Sequence, residues 1–243
     1  MDTDGLHNFD PYLTSVEAEI VSVGTNFVEL NKTCFFGRSG GQVGDTGRIG
    51  EVAVLGTERS AHGSTYHLVA ESDTAILSSG DSVTATIDVA RRRQIMRLHT
   101  AQHLVELAVM DLADVGPGLQ SFVSAHTAWA DFVGSLAEFT ELEMDALRRW
   151  VHEIVVDNLP IRRLWDGRPL WVLDGVGTIA CDGTHVERTG EVGPIVIEAS
   201  PIEGGRVRIA VSLAERGRGE SSGADQQRQG RSSNRSVHFS ETP

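Results

Sequence analysis

Residues 88–112 read DVARRRQIMRLHTAQHLVELAVMDL, and the spacing of their apolar side chains sets the boundary around which the chain is organised. Leu98, Ala101, Val105, Ala108 and Leu112 recur at helical intervals on one face. Asp88 is a residue type that caps helix starts, so a long helix over Val89 to Leu112 is expected. The chain before it has a period of two. Val16, Ala18 and Ile20 alternate with Glu17 and Glu19, and the phase then slips to Val21 and Val23. Short apolar runs follow at Phe27 to Leu30, Val52 to Leu55, Tyr66 to Val69 and Val83 to Ile87, separated by turn signals at Gly24, residues 37–50, Gly63 and Gly80-Asp81. Short strands at this spacing predict a small barrel or sandwich.

Beyond residue 112, Pro117-Gly118 ends the helical pattern, and Thr140 with Glu143 forms a capping box for a second helix. Leu147, Trp150, Val151, Ile154 and Val155 fill its core face, and it must stop before Pro160. Apolar runs at Leu170 to Leu173, Ile195 to Ile197 and Val207 to Val211 make this half α+β, with the last two runs joined across Pro201 to Gly205. From Ala214 onward the composition turns to Arg, Gly, Ser, Gln and Glu, too poor in apolar side chains to order itself. The expected organisation is therefore α+β: a β-barrel-like N-terminal domain over 1–88, an α+β domain over 89–213, and a disordered tail over 214–243.

The 243 residues carry 34 acidic and 21 basic side chains, a formal net charge of -13. That sign argues against a broadly basic surface that grips nucleic acid without specificity. No stretch reads as a membrane span or secretory signal, so a cytoplasmic protein with no membrane partner is expected. Two cysteines far apart, Cys34 and Cys181, exclude a disulfide scaffold. Cys34 reads as a buried structural thiol.

The chemistry concentrates in two pairs. His99 and His103 are four residues apart on the long helix, which places both on one face. Cys181 and His185 repeat the interval within Cys-Asp-Gly-Thr-His. Three imidazoles and one thiolate form a tetrahedral nitrogen and sulfur set that suits one zinc ion per chain better than magnesium or calcium. The helical pair is not a metalloprotease motif, because Thr100 stands where the general-base Glu would follow the first His. Four protein ligands by themselves read as a closed structural site; a catalytic role needs one ligand to yield or a substrate atom to join.

These residues resemble a known family. His99-Thr100-Ala101-Gln102-His103-Leu104, Cys181-Asp182-Gly183-Thr184-His185-Val186 and Thr189-Gly190-Glu191-Val192-Gly193 are similar to motifs of the alanyl-tRNA synthetase editing domain and its free-standing AlaX-type relatives. Phe35-Phe36-Gly37-Arg38-Ser39-Gly40-Gly41-Gln42 with Gly44-Asp45-Thr46-Gly47 resembles the glycine-rich loop of that family's N-terminal barrel. The resemblance covers about residues 12 to 213.

It implies an aminoacyl-tRNA hydrolase that acts in trans on alanine-specific tRNA mischarged with serine or glycine. Its partner is then the acceptor end of the mischarged tRNA, and its zinc is held by His99, His103, Cys181 and His185. Ser39, Gly40, Gly41, Gln42 and Asp182 are the implied substrate-binding residues. Gln120, Thr100 and Thr184 are the implied catalytic residues and candidate donors to the serine hydroxyl; alternatively, their polar groups serve the local backbone. Gln120-Ser121 and Asp131-Phe132 also resemble family positions. Asp182 stands where the family commonly has glycine, and Phe36-Gly37 replaces a usual Tyr-Pro. Local arginines such as Arg91 to Arg93 are expected contacts for the acceptor end; a solvated helix start explains the triplet equally well. Editing of seryl-tRNA for threonine and a non-catalytic zinc-stabilised binding module are the competing readings.

Overall fold

A computed structural model describes residues 3–60, 62–113, 118–133 and 141–214. Among these it is a mixed structure of many strands and two long helices. The N-terminal part forms one seven-stranded sheet from β1 (Ser15–Val23), β2 (Phe27–Leu30), β3 (Gly47–Ile49), β4 (Val52–Val54), β5 (Gly56–Arg59), β6 (Thr65–Leu68) and β7 (Ser82–Ile87). Their order is β4-β3-β7-β1-β2-β6-β5. The phase slip in β1 is a register shift between Ile20 and Ser22. Before it, β1 pairs with β7; from Ile20 on, it pairs with β2. One extra residue there turns the strand from one neighbour toward the other. The outermost strands β4 and β5 are consecutive in the chain, separated only by Leu55, whose N–H bonds Leu68 O.

Ile20, Val28, Leu30, Phe35, Ile49 and Ile87 meet in the core of this sheet, and Cys34 is buried among them with its thiol 3.6 Å from Ala85 O. Burial pushes the Cys34 thiol up to about 11. His67 is buried in the same region, with Nδ1 3.0 Å from Val28 O and Nε2 2.8 Å from Thr33 Oγ1. The carbonyl can only accept, so Nδ1 carries the proton and Nε2 accepts from Thr33. Burial of this neutral ring lowers its pKa from 6.5 to about 4. The unfolded chain then binds the proton more readily than the native one. The His67 contribution is therefore complete above about pH 6.5 and is lost as pH falls through about 4. A shift of that size predicts about 3 kcal/mol less stability at the acid end. Urea unfolding across this range checks it, and His67→Gln should remove that portion of the slope.

The second half begins with α1 (Val89–Ala113). Asp88 Oδ1 accepts from Arg91 N at 3.0 Å, the cap expected from its type. Leu98, Ala101, Val105 and Ala108 are buried as the periodicity predicts, but Leu112 is 44% exposed because the last turn runs beyond the core. Next come β8 (Gln120–Val123), β9 (Ala128–Val133), α2 (Glu141–Asp157), β10 (Ile161–Trp165), β11 (Pro169–Leu173), β12 (Gly177–Ala180), β13 (Ile195–Ile202) and β14 (Arg206–Leu213).

These strands form two sheets, β8-β9-β14-β13 and β10-β11-β12. A second apolar core joins α1, α2, the inward face of the four-stranded sheet and Trp171. The join read across Pro201 to Gly205 is shorter: β13 continues through Pro201, which pairs with Val207, and only 203–205 turn. Pro201 is tolerated because β13 is an edge strand. No described helix is long and apolar enough to cross a membrane. Pro117, the Thr140 half of the capping box and the tail beyond Ala214 lie outside the described residues.

Of the arginine triplet at the start of α1, Arg93 is exposed and Arg91 partly so, whereas Arg92 is withdrawn into the interior. Arg92 is buried, its Nε 3.0 Å from both Asp45 carboxylate oxygens, and its Nη2 is also bonded to Asp45. Its remaining donors reach Pro11 O and Cys34 O, both at 2.8 Å. Arg91 donates to Gly44 O, and Arg93 lies 5.1 Å from the centre of the Tyr12 ring. Asp45 also accepts from Phe36 N, so this ion pair fastens the glycine-rich segment to α1.

Candidate metal centre

The helix, the glycine loop and the 181–185 loop converge on four side chains. His99, His103, Cys181 and His185 offer ligand atoms that all lie within 4.8 Å of one another. Cys181 Sγ is 3.5 Å from His99 Nε2 and 3.2 Å from His185 Nε2. The ligand-to-ligand edges of a tetrahedral zinc site run about 3.3 to 3.6 Å, from its bond lengths. Three of the four residues are buried and Cys181 is partly so. His103 Nε2 is buried without a hydrogen-bond partner. An imidazole nitrogen left bare in a dry interior is costly unless a cation takes its lone pair. The cluster therefore fits a metal ion.

Each imidazole is oriented from behind. Thr184 N–H donates to Gln42 Oε1 at 3.0 Å, and a backbone N–H can only donate, so the amide oxygen must face this side. His99 Nδ1, 2.7 Å from the same oxygen, is then the protonated nitrogen, leaving Nε2 free toward Cys181. His103 Nδ1, buried without a hydrogen-bond partner, faces the Glu106 carboxylate at an ion-pair distance of 3.5 Å. His185 Nδ1 lies 3.4 Å from Thr100 Oγ1, which also accepts from Val186 N. Such second partners fix the ring orientation and raise ligand basicity. Burial opposes charge on Cys181, yet the His99 and His185 rings beside it hold its thiol well below the usual range. This direction favours the thiolate, the form that ligates metals. With no cation beside it, burial is outweighed by Cys181 and Glu106, which raise the His103 ring to about 9, so that a proton competes for the position a metal ion would take.

Glu106 was not visible as a site residue in the sequence. Its signal is position: three residues after His103, it shares that ligand's helix face. Gly118 N–H at 3.0 Å and Gln102 Nε2 at 3.2 Å hold its carboxylate. Replacing Glu106 with alanine should weaken metal affinity about 10- to 100-fold while leaving the fold intact. Competitive titration against a chromogenic zinc chelator measures this.

The residues expected to meet substrate divide into two groups. Thr100, Thr184 and Gln42 are fully buried and already engaged: Gln42 Nε2 donates to Thr184 Oγ1 at 2.9 Å, and Thr100 braces His185. In this structure their polar groups are taken up by the neighbours of the metal ligands, the alternative that the sequence also left open for the two threonines. Gln120 and Ser121 are exposed on β8. Ser39, Gly40 and Gly41 lie between β8 and the 181–185 loop: Val123 N bonds Gly41 O, and Ser39 Oγ reaches Asp182 Oδ2 at 3.3 Å. Gly183 is required here, because a Cβ at its position would lie 2.2 Å from the His99 ring. Asp131 and Phe132 serve the sheet. Asp131 is buried in a two-bond pair with Arg208, at 2.8 and 3.0 Å, and Phe132 is in the core.

Residues 174–228 match the family model of the threonyl and alanyl tRNA synthetase second additional domain. The alanine-tRNA ligase of Methanococcus aeolicus is 29% identical over 234 residues, covering 86% of this chain and 25% of the ligase. That of Trichormus variabilis is 33% identical, with 81% and 25% covered. The chain thus spans about a quarter of the length of these ligases. The alanyl-tRNA editing protein AlaX-M of Pyrococcus horikoshii is 28% identical over 217 residues, covering 87% of this chain and 98% of that protein. In sequence the chain is similar to an alanyl-tRNA editing protein over most of both chains and to about a quarter of the alanine-tRNA ligases. It is a relative of the AlaX-type editing proteins, as its motifs implied.

Proposed function

We propose that this protein hydrolyses, in trans, the ester bond of alanine-specific tRNA mischarged with serine or glycine, using one zinc ion held by His99, His103, Cys181 and His185. The observation that carries this reading is the buried three-histidine, one-cysteine cluster, with its oriented rings and the bare Nε2 of His103. When bound, zinc supplies Lewis-acid stabilisation of the charge that develops on the ester carbonyl oxygen. In the reaction, water adds to that carbonyl carbon and the terminal ribose hydroxyl leaves with a proton.

The protein's contribution is placement. Gln42, Glu106 and Thr100 lock the three rings, so little reorganisation is needed as charge develops. Ser121, exposed beside Gly41, is the polar group available to the serine hydroxyl, with Gln120 on the opposite face of β8 as the alternative. The correct alanyl ester lacks that hydroxyl and would leave such groups unpaired, the kind of site that discriminates strongly. Recognition falls to the acceptor end of the tRNA, since the net charge of -13 disfavours broad contact with the RNA. The reaction belongs in the cytoplasm, where tRNA is charged and used. Separate apolar cores support reading 1–88 and 89–213 as two domains. The adjacency of β4 and β5 supports closure of the first as a small barrel.

Gly41 tests the role of the loop. Its φ is +90°, and a Cβ there would approach Ser121 O to 2.5 Å. Gly41→Val must therefore move the loop off β8. It should lower kcat/KM for seryl-tRNA about 100-fold, because displacements near 1 Å are that costly, while zinc content stays at one per chain. The family model is shared with threonyl synthetases, so mischarged seryl-tRNA for threonine is the comparison substrate. Equal or faster hydrolysis of that ester would replace the alanyl reading.

A further inference from the structure

Beside the thiolate ligand stands a carboxylate that the ligand set does not use. Asp182 Oδ2 accepts hydrogen bonds from Ser39 Oγ and Arg59 Nη1, both at 3.3 Å. Its Oδ1 has no hydrogen-bond partner among the described residues. The side chain is 34% exposed, so one oxygen is anchored and the other is open to a ligand. Oδ1 points toward Gly40 and lies 3.4 Å from where a Cβ would stand. Since Gly40 carries no side chain, the space beside Oδ1 is free. That space lies between two segments already tied to the metal centre: the glycine loop, whose Gln42 orients His99, and the loop bearing Cys181.

A fixed carboxylate with a free oxygen selects a cation that can donate hydrogen bonds. The aminoacyl ester of the proposed reaction carries one such group, the α-ammonium, one carbon from the carbonyl under attack. We propose that Asp182 Oδ1 receives this α-ammonium and thereby sets the carbonyl against the metal centre, with Arg59 and Ser39 holding the carboxylate in position. The inference rests on the hydrolytic reading above. Arg59 is 51% exposed, so solvent screens its charge and leaves Asp182 an effective anion toward a closer ligand.

The test uses the full-length zinc-loaded protein with seryl-tRNA for alanine and the same tRNA carrying N-acetylserine, which has no ammonium. The wild-type protein should favour the free amine. Asp182→Asn should lower kcat/KM for the free amine about ten- to a hundredfold, the loss expected for one charge-assisted hydrogen bond, and change the acetylated ester less than about twofold. Arg59→Gln removes the anchor but keeps Oδ1, so it should retain the preference for the free amine. Equal losses of Asp182→Asn on both esters, with zinc content unchanged, would overturn the proposal and leave Asp182 as a loop clamp. Hydrolysis of neither ester by the wild-type protein would instead contradict the hydrolytic reading on which it stands.

Discussion

Cys181→Ala protein is expected to emerge from purification with little zinc and to hydrolyse seryl-tRNA for alanine at least about a thousandfold more slowly than the wild type. The thiolate is the only anionic member of the cluster and lies 3.5 and 3.2 Å from two of the three imidazole donors. Losing it removes a direct metal bond and the charge that favours a dication over the protons competing for the histidines. A Lewis acid contributes several kcal/mol to charge stabilisation in a transition state, and about 4 kcal/mol corresponds to a thousandfold in rate. Elemental analysis and single-turnover deacylation read the two effects independently. Full zinc occupancy in this variant would remove Cys181 from the ligand set, whatever the activity.

The second large effect concerns stability. Asp45→Ala should destabilise the native state by about 3 to 5 kcal/mol, because it strands the buried Arg92 guanidinium without its counter-ion. That is a sizeable fraction of the 5 to 15 kcal/mol by which ordinary domains are stable. The cost comes from the unpaired charge more than from the lost attraction. Asp45→Ala combined with Arg92→Met should therefore recover much of the loss, and urea unfolding of the two variants distinguishes the cases. A double variant no more stable than the single one would mean that the bonds from Arg92 to Pro11 O and Cys34 O matter more than charge balance.

How much of this was legible in the sequence follows from where the signals lie. Phe27 to Leu30 form a strand as read, and the slip after Ile20 is the register shift in β1, because both express the same period of two. The four clustered residues were readable because two pairs at an interval of four are local patterns, although only the fold brings them together. The strands Gly47–Ile49 and Gly56–Arg59 were not, since three or four residues that include a glycine carry too little alternation. Ile161–Trp165 was hidden by Arg162 and Arg163, which break its apolar run.

The partners around the ligands were not legible for a different reason. Gln42, Thr100 and Thr184 are polar residue types whose burial and partners depend on three segments meeting. Sequence spacing gives no measure of that. The burial of Arg92 was hidden in the same way: it finds its acid 47 positions earlier, inside a glycine-rich motif.

The central claim is selective ester hydrolysis, and the most direct measurement is the deacylation rate of purified, zinc-loaded protein on seryl-tRNA for alanine beside alanyl-tRNA for alanine. The account predicts release of serine at least about a hundredfold faster than release of alanine, from groups that pair only with the serine hydroxyl. Equal rates on the two esters, or none above the uncatalysed rate on either, would contradict it.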